Sequence, residues 1–225
     1  MISHLHPELN AKLYLRDPQA TGLGRRIITE SVKLIDAIGF EHFTFRKLAQ
    51  QMGSTEASLY RYFENKHRLL VYLVSWHWAW LRHQIRFHTH NVADPAGRLR
   101  LMLNIITRAH RDQPATTDLD EAALYRIVVA EASKTYLTRE VDQGNDDGFF
   151  QEYKLLATDV LAAVQELNPD YPYPHALVST VLEAARQQLF FAQHMPVLAD
   201  APDPATAENN VLFFLDHLVF SALGK

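Results

Sequence analysis

From Gly22 to Ile38, apolar side chains recur at Ile27, Ile28, Leu34, Ile35 and Ile38. That is the three-and-four spacing of a helix face, and the same period persists to the end of the chain. Alternation of period two is scarce, and the Gly/Pro clusters fall between the periodic runs. These features leave room for an all-α fold and little else. The spacing predicts a first helix over about 22–38, stopped by Gly39 in the left-handed conformation. A second follows Thr44, a good N-cap, and ends at Gly53. A third follows Thr55 and runs to about Phe63, and Asn65 caps a long fourth helix from Lys66 to about His88. Beyond a break at Asn91–Pro95, helices are expected over about 95–111, 118–138, 146–167, 174–194 and 205–222. Their breaks are Asp112-Gln113-Pro114, Gly144-Asn145, Asn168-Pro169 with Pro172 and Pro174, and Met195-Pro196 to Pro204.

Residues 44–63 carry the most specific pattern. Leu48 and Ala49 give the second helix an inward face, and Leu59 with Phe63 gives the third one. At about 100° per residue, Ala57 and Arg61 lie opposite Leu59 and point outward, flanked by Ser58 and Tyr60. With Gly53 at the turn, the pair reads as a helix-turn-helix, whose second helix enters the DNA major groove. An ordinary helical hairpin with a solvated basic face has the same spacing.

Charge divides along the chain. Residues 21–70 carry eight Lys/Arg against five Asp/Glu, while residues from 71 onward carry 12 against 19, within a total of −4. A basic segment on an acidic remainder suits contact with a polyanion by the segment alone. The chain has no cysteine, which excludes disulfides, thiolate zinc sites and cysteine nucleophiles. No Gly-rich phosphate loop and no clustered carboxylate–histidine motif is present, so the sequence speaks against catalysis and no cofactor is expected. The N-terminus lacks a secretory pattern and no apolar run is long enough to span a bilayer, so a soluble cytoplasmic protein with no membrane partner is expected.

The motif Thr44-x-Arg46-Lys47-Leu48-Ala49, then Gly53, then Ser58-Leu59-Tyr60-x-Tyr62-Phe63, closed by Asn65-Lys66-x-x-Leu69-Leu70, resembles the N-terminal domain of the TetR family of bacterial transcriptional regulators. Gly39-Phe40 upstream fits as well. The resemblance covers about a fifth of the chain. It implies a three-helix DNA-binding domain over 21–70, after an N-terminal extension over 1–20. A long helix would join that domain to a helical effector-binding and dimerisation domain over 71–225. Carried over by position, it implies phosphate contacts from Thr44, Tyr60, Tyr62 and Lys66. Base-edge contacts would come from Thr55, Glu56, Ala57 and Ser58, joined by Arg46 and Arg61. Glu56 departs from the family's usual basic or neutral residue, and a carboxylate near phosphates weakens non-specific binding. The implied partners are double-stranded operator DNA, a small-molecule effector and a second copy of the chain. The implied function is repression at a palindromic operator, relieved by the effector.

The rest of the chain is less specific. The run Trp76-His77-Trp78-Ala79-Trp80 with His83, His88 and His90 lacks the i, i+4 histidine pair of a helical metal site, so it is expected to be aromatic packing with solvent-exposed histidines and no metal. An effector cavity implied by the resemblance would have large apolar walls, with Trp80, Leu103, Ile106, Tyr125, Phe149, Phe150 and Tyr153 as candidates. Arg108, Arg126 or Glu131 would orient a charged ligand. The last two helices carry apolar residues on more of their surface than one core contact requires, including Val181, Phe190, Phe214 and Leu218. A second surface must cover them, and the family's four-helix dimer bundle would do so. Two readings from other classes stay open at this stage. One is an all-helical enzyme or small-molecule carrier with an incidental basic hairpin, and the other is a protein-interaction module.

Overall fold

The computed structural model describes residues 7–108, 119–200, 203 and 205–225. All regular structure among them is helical. Ten α-helices follow in order: α1 (Gly22–His42), α2 (Phe45–Met52), α3 (Glu56–Tyr60), α4 (Lys66–Thr89), α5 (Pro95–Arg108), α6 (Glu121–Glu131), α7 (Val141–Asp146), α8 (Gln151–Leu167), α9 (Pro174–His194) and α10 (Ala207–Ala222). Single 3-10 turns occupy Ala11–Leu13, Ala132–Thr135 and Pro196–Leu198. No helix is long and apolar enough to cross a membrane among the described residues.

Several expected boundaries are met. The α1 segment is broken at Gly39, which adopts φ 75°. Thr44 accepts a bond from the Lys47 amide at the start of α2, and Asn65 accepts one from the Arg68 amide at the start of α4. Gly53 takes the left-handed conformation (φ 61°, ψ 37°) and its amide reaches back to the carbonyls of Ala49 and Gln50. A side chain with a Cβ is disfavoured there, so the reversal between α2 and α3 falls at this residue.

Other boundaries differ. The third helix ends at Tyr60 rather than Phe63. Leu59, Tyr62 and Phe63 are all buried. Thr55 makes no side-chain bond to cap α3. The helix expected over 146–167 begins only at Gln151, as α8, because the chain turns at Gly148 (φ 78°), and the break expected at Gly144-Asn145 lies within α7. The expected helix over 118–138 stops at Glu131 and continues as a 3-10 turn. The break at Asp112-Gln113-Pro114 lies outside the described residues, as do parts of the helices expected to flank it.

The chain forms two compact units. Met1–Trp80 and Gln113–Glu152 make the first, and Leu81–Asp112 and Tyr153–Lys225 the second. The described residues 119–152, expected to belong with residues 71–225, fall in the first unit. The reason is visible in α6, which lies along α1. Arg126 of α6 holds Asp36 of α1 through two hydrogen bonds of 2.8 and 2.7 Å, and Lys134 reaches Glu41 at 2.6 Å. The core of this unit is built from Ile27, Ile28, Val32 and Ile35 of α1, Leu48 of α2, Leu59 and Phe63, and the first half of α4, where every residue from Leu69 to Trp78 is buried. In the second unit α10 packs on α9 and α5, with Leu99, Leu103, Val181, Leu189, Val211 and Leu215 inside.

Candidate nucleic-acid interface

The α2–α3 pair presents one open groove of about 460 Å3, lined by Thr44, Phe45, Arg46, Glu56, Tyr60, Asn65 and Lys66. Local geometry fixes each hydroxyl and cation in it. Thr44 Oγ1 accepts from the Lys47 amide at 3.2 Å, which leaves its hydroxyl proton for an outside acceptor. The Tyr60 ring packs edge-on against Phe45 with centroids 5.0 Å apart, yet the residue remains 47% exposed. Packing therefore holds the ring while the residue faces solvent. Arg46 is exposed beside it, as are Thr55, Glu56, Ala57 and Arg61 along α3 and its end. Neither Arg46 nor Arg61 forms an ion pair among the described residues, so both guanidinium groups are available to an anion. Glu56 occupies the first turn of α3, where a carboxylate complements the positive end of a helix.

Three residues expected at the interface lie otherwise. Ser58 is 7% exposed; its Oγ donates to the Thr55 carbonyl at 2.5 Å and pairs with Ser54 Oγ at 2.8 Å. Those bonds serve the start of α3, where Thr55 provides no cap. Tyr62 is 2% exposed, with its hydroxyl 2.7 Å from Thr21 Oγ1, so it faces inward. Lys66 lines the groove, but its ammonium donates to the carbonyls of Phe40, Glu41 and Phe43 at 3.0, 3.3 and 3.2 Å. It also lies 4.7 Å from the centre of the Phe40 ring. An ammonium has three protons, and here all three serve the C-terminal end of α1. Phe45 and Asn65 line the groove without having been expected to. The sequence signal was present for Asn65, which as N-cap of α4 must sit beside Lys66.

The residues expected to line an effector cavity are divided between the units. In the first unit Trp80, Tyr125 and Phe149 are buried. The His77 ring lies 5.8 Å from that of Trp80 and 5.9 Å from that of Tyr125. His77 itself is 4% exposed, so it belongs to the aromatic packing and is not one of the solvent-exposed histidines. In the second unit Leu103 and Ile106 are core residues, and the Tyr153 hydroxyl donates to Glu183 at 2.7 Å. The charges proposed to orient a ligand have partners already: Arg126 with Asp36, Glu131 with Lys134 and Arg108 with Asn209. Of the expected dimer residues, Val181 is core of the single chain at 2% exposure, while Phe214 is 46% and its neighbour Phe213 68% exposed. Phe190 and Leu218 are partly covered.

Two short helices joined by a left-handed glycine, with unpaired guanidinium groups and outward hydroxyls along their open edge, define a helix-turn-helix DNA-binding domain. Residues 27–73 match the family model described as bacterial regulatory proteins, tetR family. No curated protein matches the chain in sequence. Solved structures do share its fold. The fatty acid degradation regulator FadR from Bacillus halodurans is 16% identical, with a TM-score of 0.57 over 89% of this chain and 94% of that one. AibR in complex with isovaleryl coenzyme A and operator DNA is 18% identical, with a TM-score of 0.56 over 87% and 97%. The ketosteroid transcriptional regulator KstR2 of Mycobacterium tuberculosis is 18% identical, with a TM-score of 0.52 over 88% and 94%.

Proposed function

We propose that this protein is a ligand-responsive transcriptional repressor that binds a palindromic operator as a homodimer and releases it when a small organic effector binds. The observation that carries the DNA-binding part is the exposed row from Arg46 and Thr44 across Tyr60 to Arg61, set on an otherwise acidic chain. Hydroxyls and Arg46 take phosphate oxygens, and Thr55, Glu56, Ala57 and Arg61 meet base edges. The exposed Phe213 and Phe214 of α10 support pairing through the last helices. Two copies would set their reading helices on half-sites about 34–36 Å apart. An effector in the helical body would alter that spacing. That the similar structure of AibR holds both a coenzyme A thioester and operator DNA supports an effector mechanism of this kind. The phosphate contacts reside in Thr44, Arg46 and Tyr60, with Lys66 and Tyr62 as internal struts. Selection of duplexes from random-sequence DNA by the purified chain tests the reading. The expected product is an inverted repeat bound with a steep salt dependence; recovery of no sequence above background at low salt overturns it.

A further inference from the structure

Residues 10–16 take no part in the groove, yet they form a strap fastened at two places in the first unit. One end is tied to Tyr62, two residues past the end of α3. The Leu15 amide donates to the Tyr62 carbonyl at 2.8 Å, and the Arg16 guanidinium lies 5.5 Å from the centre of the Tyr62 ring. The other end is tied to the turn that precedes α8. Asn10 Nδ2 donates to the Asp147 carbonyl at 2.7 Å, and Lys12 Nζ to Asp147 Oδ1 at 2.8 Å. Between the two ends the strap is stiff. A 3-10 turn over Ala11–Leu13 is capped by Asn10, and Leu13 is buried at 1% exposure.

The contact at the turn is close by construction. Gly148 adopts φ 78°, and a Cβ added there would lie 2.8 Å from Asn10 Nδ2. A Cβ there would press on the end of the Asn10 side chain, and the positive φ strains any residue other than glycine. The turn leads directly into α8, most of which belongs to the second unit. A stiff segment bonded at both ends passes a displacement of one end to the other, whereas a flexible tether would absorb it.

We propose that the strap is a positioning element for the reading helix. It sets the orientation of the α3 C-terminal turn according to the position of the turn before α8. The proposal rests on the reading of α3 as the DNA-recognition helix. Its linkage is measured without DNA.

Full-length Asn10→Ala, Gly148→Ala and the double variant are compared with wild type by amide hydrogen exchange and by affinity for a labelled duplex recovered by selection. Each single variant is expected to speed exchange at residues 59–63 by about tenfold, with the amides of α2 unchanged. Each should weaken operator binding about threefold to tenfold. The double variant should be no weaker than the weaker single, because both substitutions break one contact. Unchanged exchange at 59–63 in Asn10→Ala overturns the proposal. So does a uniform rise in exchange across the unit, which would make the strap a general stabiliser, and so do effects that multiply in the double variant. If wild type recovers no duplex, the DNA reading alone fails and the exchange result still decides the linkage.

Discussion

Lys66 carries the sharpest contrast between position in a motif and place in the structure. Its sequence context puts it among phosphate contacts, but its three donors close the carbonyls at the end of α1. Lys66→Met should therefore lower stability by about 2 kcal/mol, the order of a hydrogen-bonded charge lost from a partly covered site. It should leave the slope of log K against log salt unchanged, since no counterion release depends on it. Urea unfolding and binding titrations at several salt concentrations check both halves; a flatter slope returns Lys66 to the phosphates. Arg61 is the opposite case. It is exposed, and no carboxylate pairs with it among the described residues, so Arg61→Ala should leave the unfolding midpoint unchanged. It should cost about 1–3 kcal/mol on the selected operator and relax preference at one position per half-site. An even loss across all sequences would reassign it to phosphate. Outward direction could be read from the sequence for Arg61 and Ala57, because Leu59 fixes the helix phase. The direction of Ser58, Tyr62 and Lys66 was not legible, because it depends on where the helix ends and which carbonyls lie across the fold.

At the scale of elements, α1 is held by both α2 and α6. Glu30 bonds Lys33 at 2.8 Å and Gln51 of α2 at 2.8 Å. The Lys33 and Gln51 hydrogen bonds keep its carboxyl below the usual range. Glu41 is likewise lowered, first by its hydrogen bond to Lys134. Burial alone would lower Lys134, but its bonds to Glu131 and Glu41 hold it above its ordinary value. A carboxyl lowered in the fold adds stability that is present above its unfolded pKa and lost as pH falls through the folded one. A lysine raised in the fold adds stability present below its unfolded pKa and lost as pH rises past the folded one. The α1 ties should accordingly hold through neutral pH, weaken in the carboxylate range, and weaken again only in strong base. Denaturant midpoints measured from pH 7 down to 3 test this: Glu30→Gln should flatten the acid limb, and an unchanged limb would show that Glu30 has no part in it. The existence and order of these helices were readable because apolar period and capping residues are local. The ties of α6 to α1 were not, since Asp36 and Arg126 stand 90 residues apart and nothing in either neighbourhood marks the other. The turn lies at Gly148 and not at Gly144, a choice that the packing of Phe149 and Phe150 makes and local spacing does not show.

For the whole molecule, the exposed aromatic pair on α10 sets the test of assembly. Phe214→Glu places a carboxylate where the proposed partner would bury it, a change costing several kcal/mol at an unpaired site. Light scattering should report a dimer for wild type and a monomer for the variant, with operator affinity falling because one reading helix spans half a palindrome. A wild-type monomer would remove the homodimer from the proposal. The partition of the chain has a further consequence. The unit that bears the helix-turn-helix is assembled from two separate stretches, 1–80 and 113–152. A head excised at residue 70 or 80 would leave α1 without α6 and the strap without its turn. Anyone grafting this reader onto a foreign sensor must therefore carry both stretches, with the intervening 32 residues as the natural site for an insert. The two units are thus interleaved in the gene rather than placed end to end, and a simple fusion junction cannot separate them.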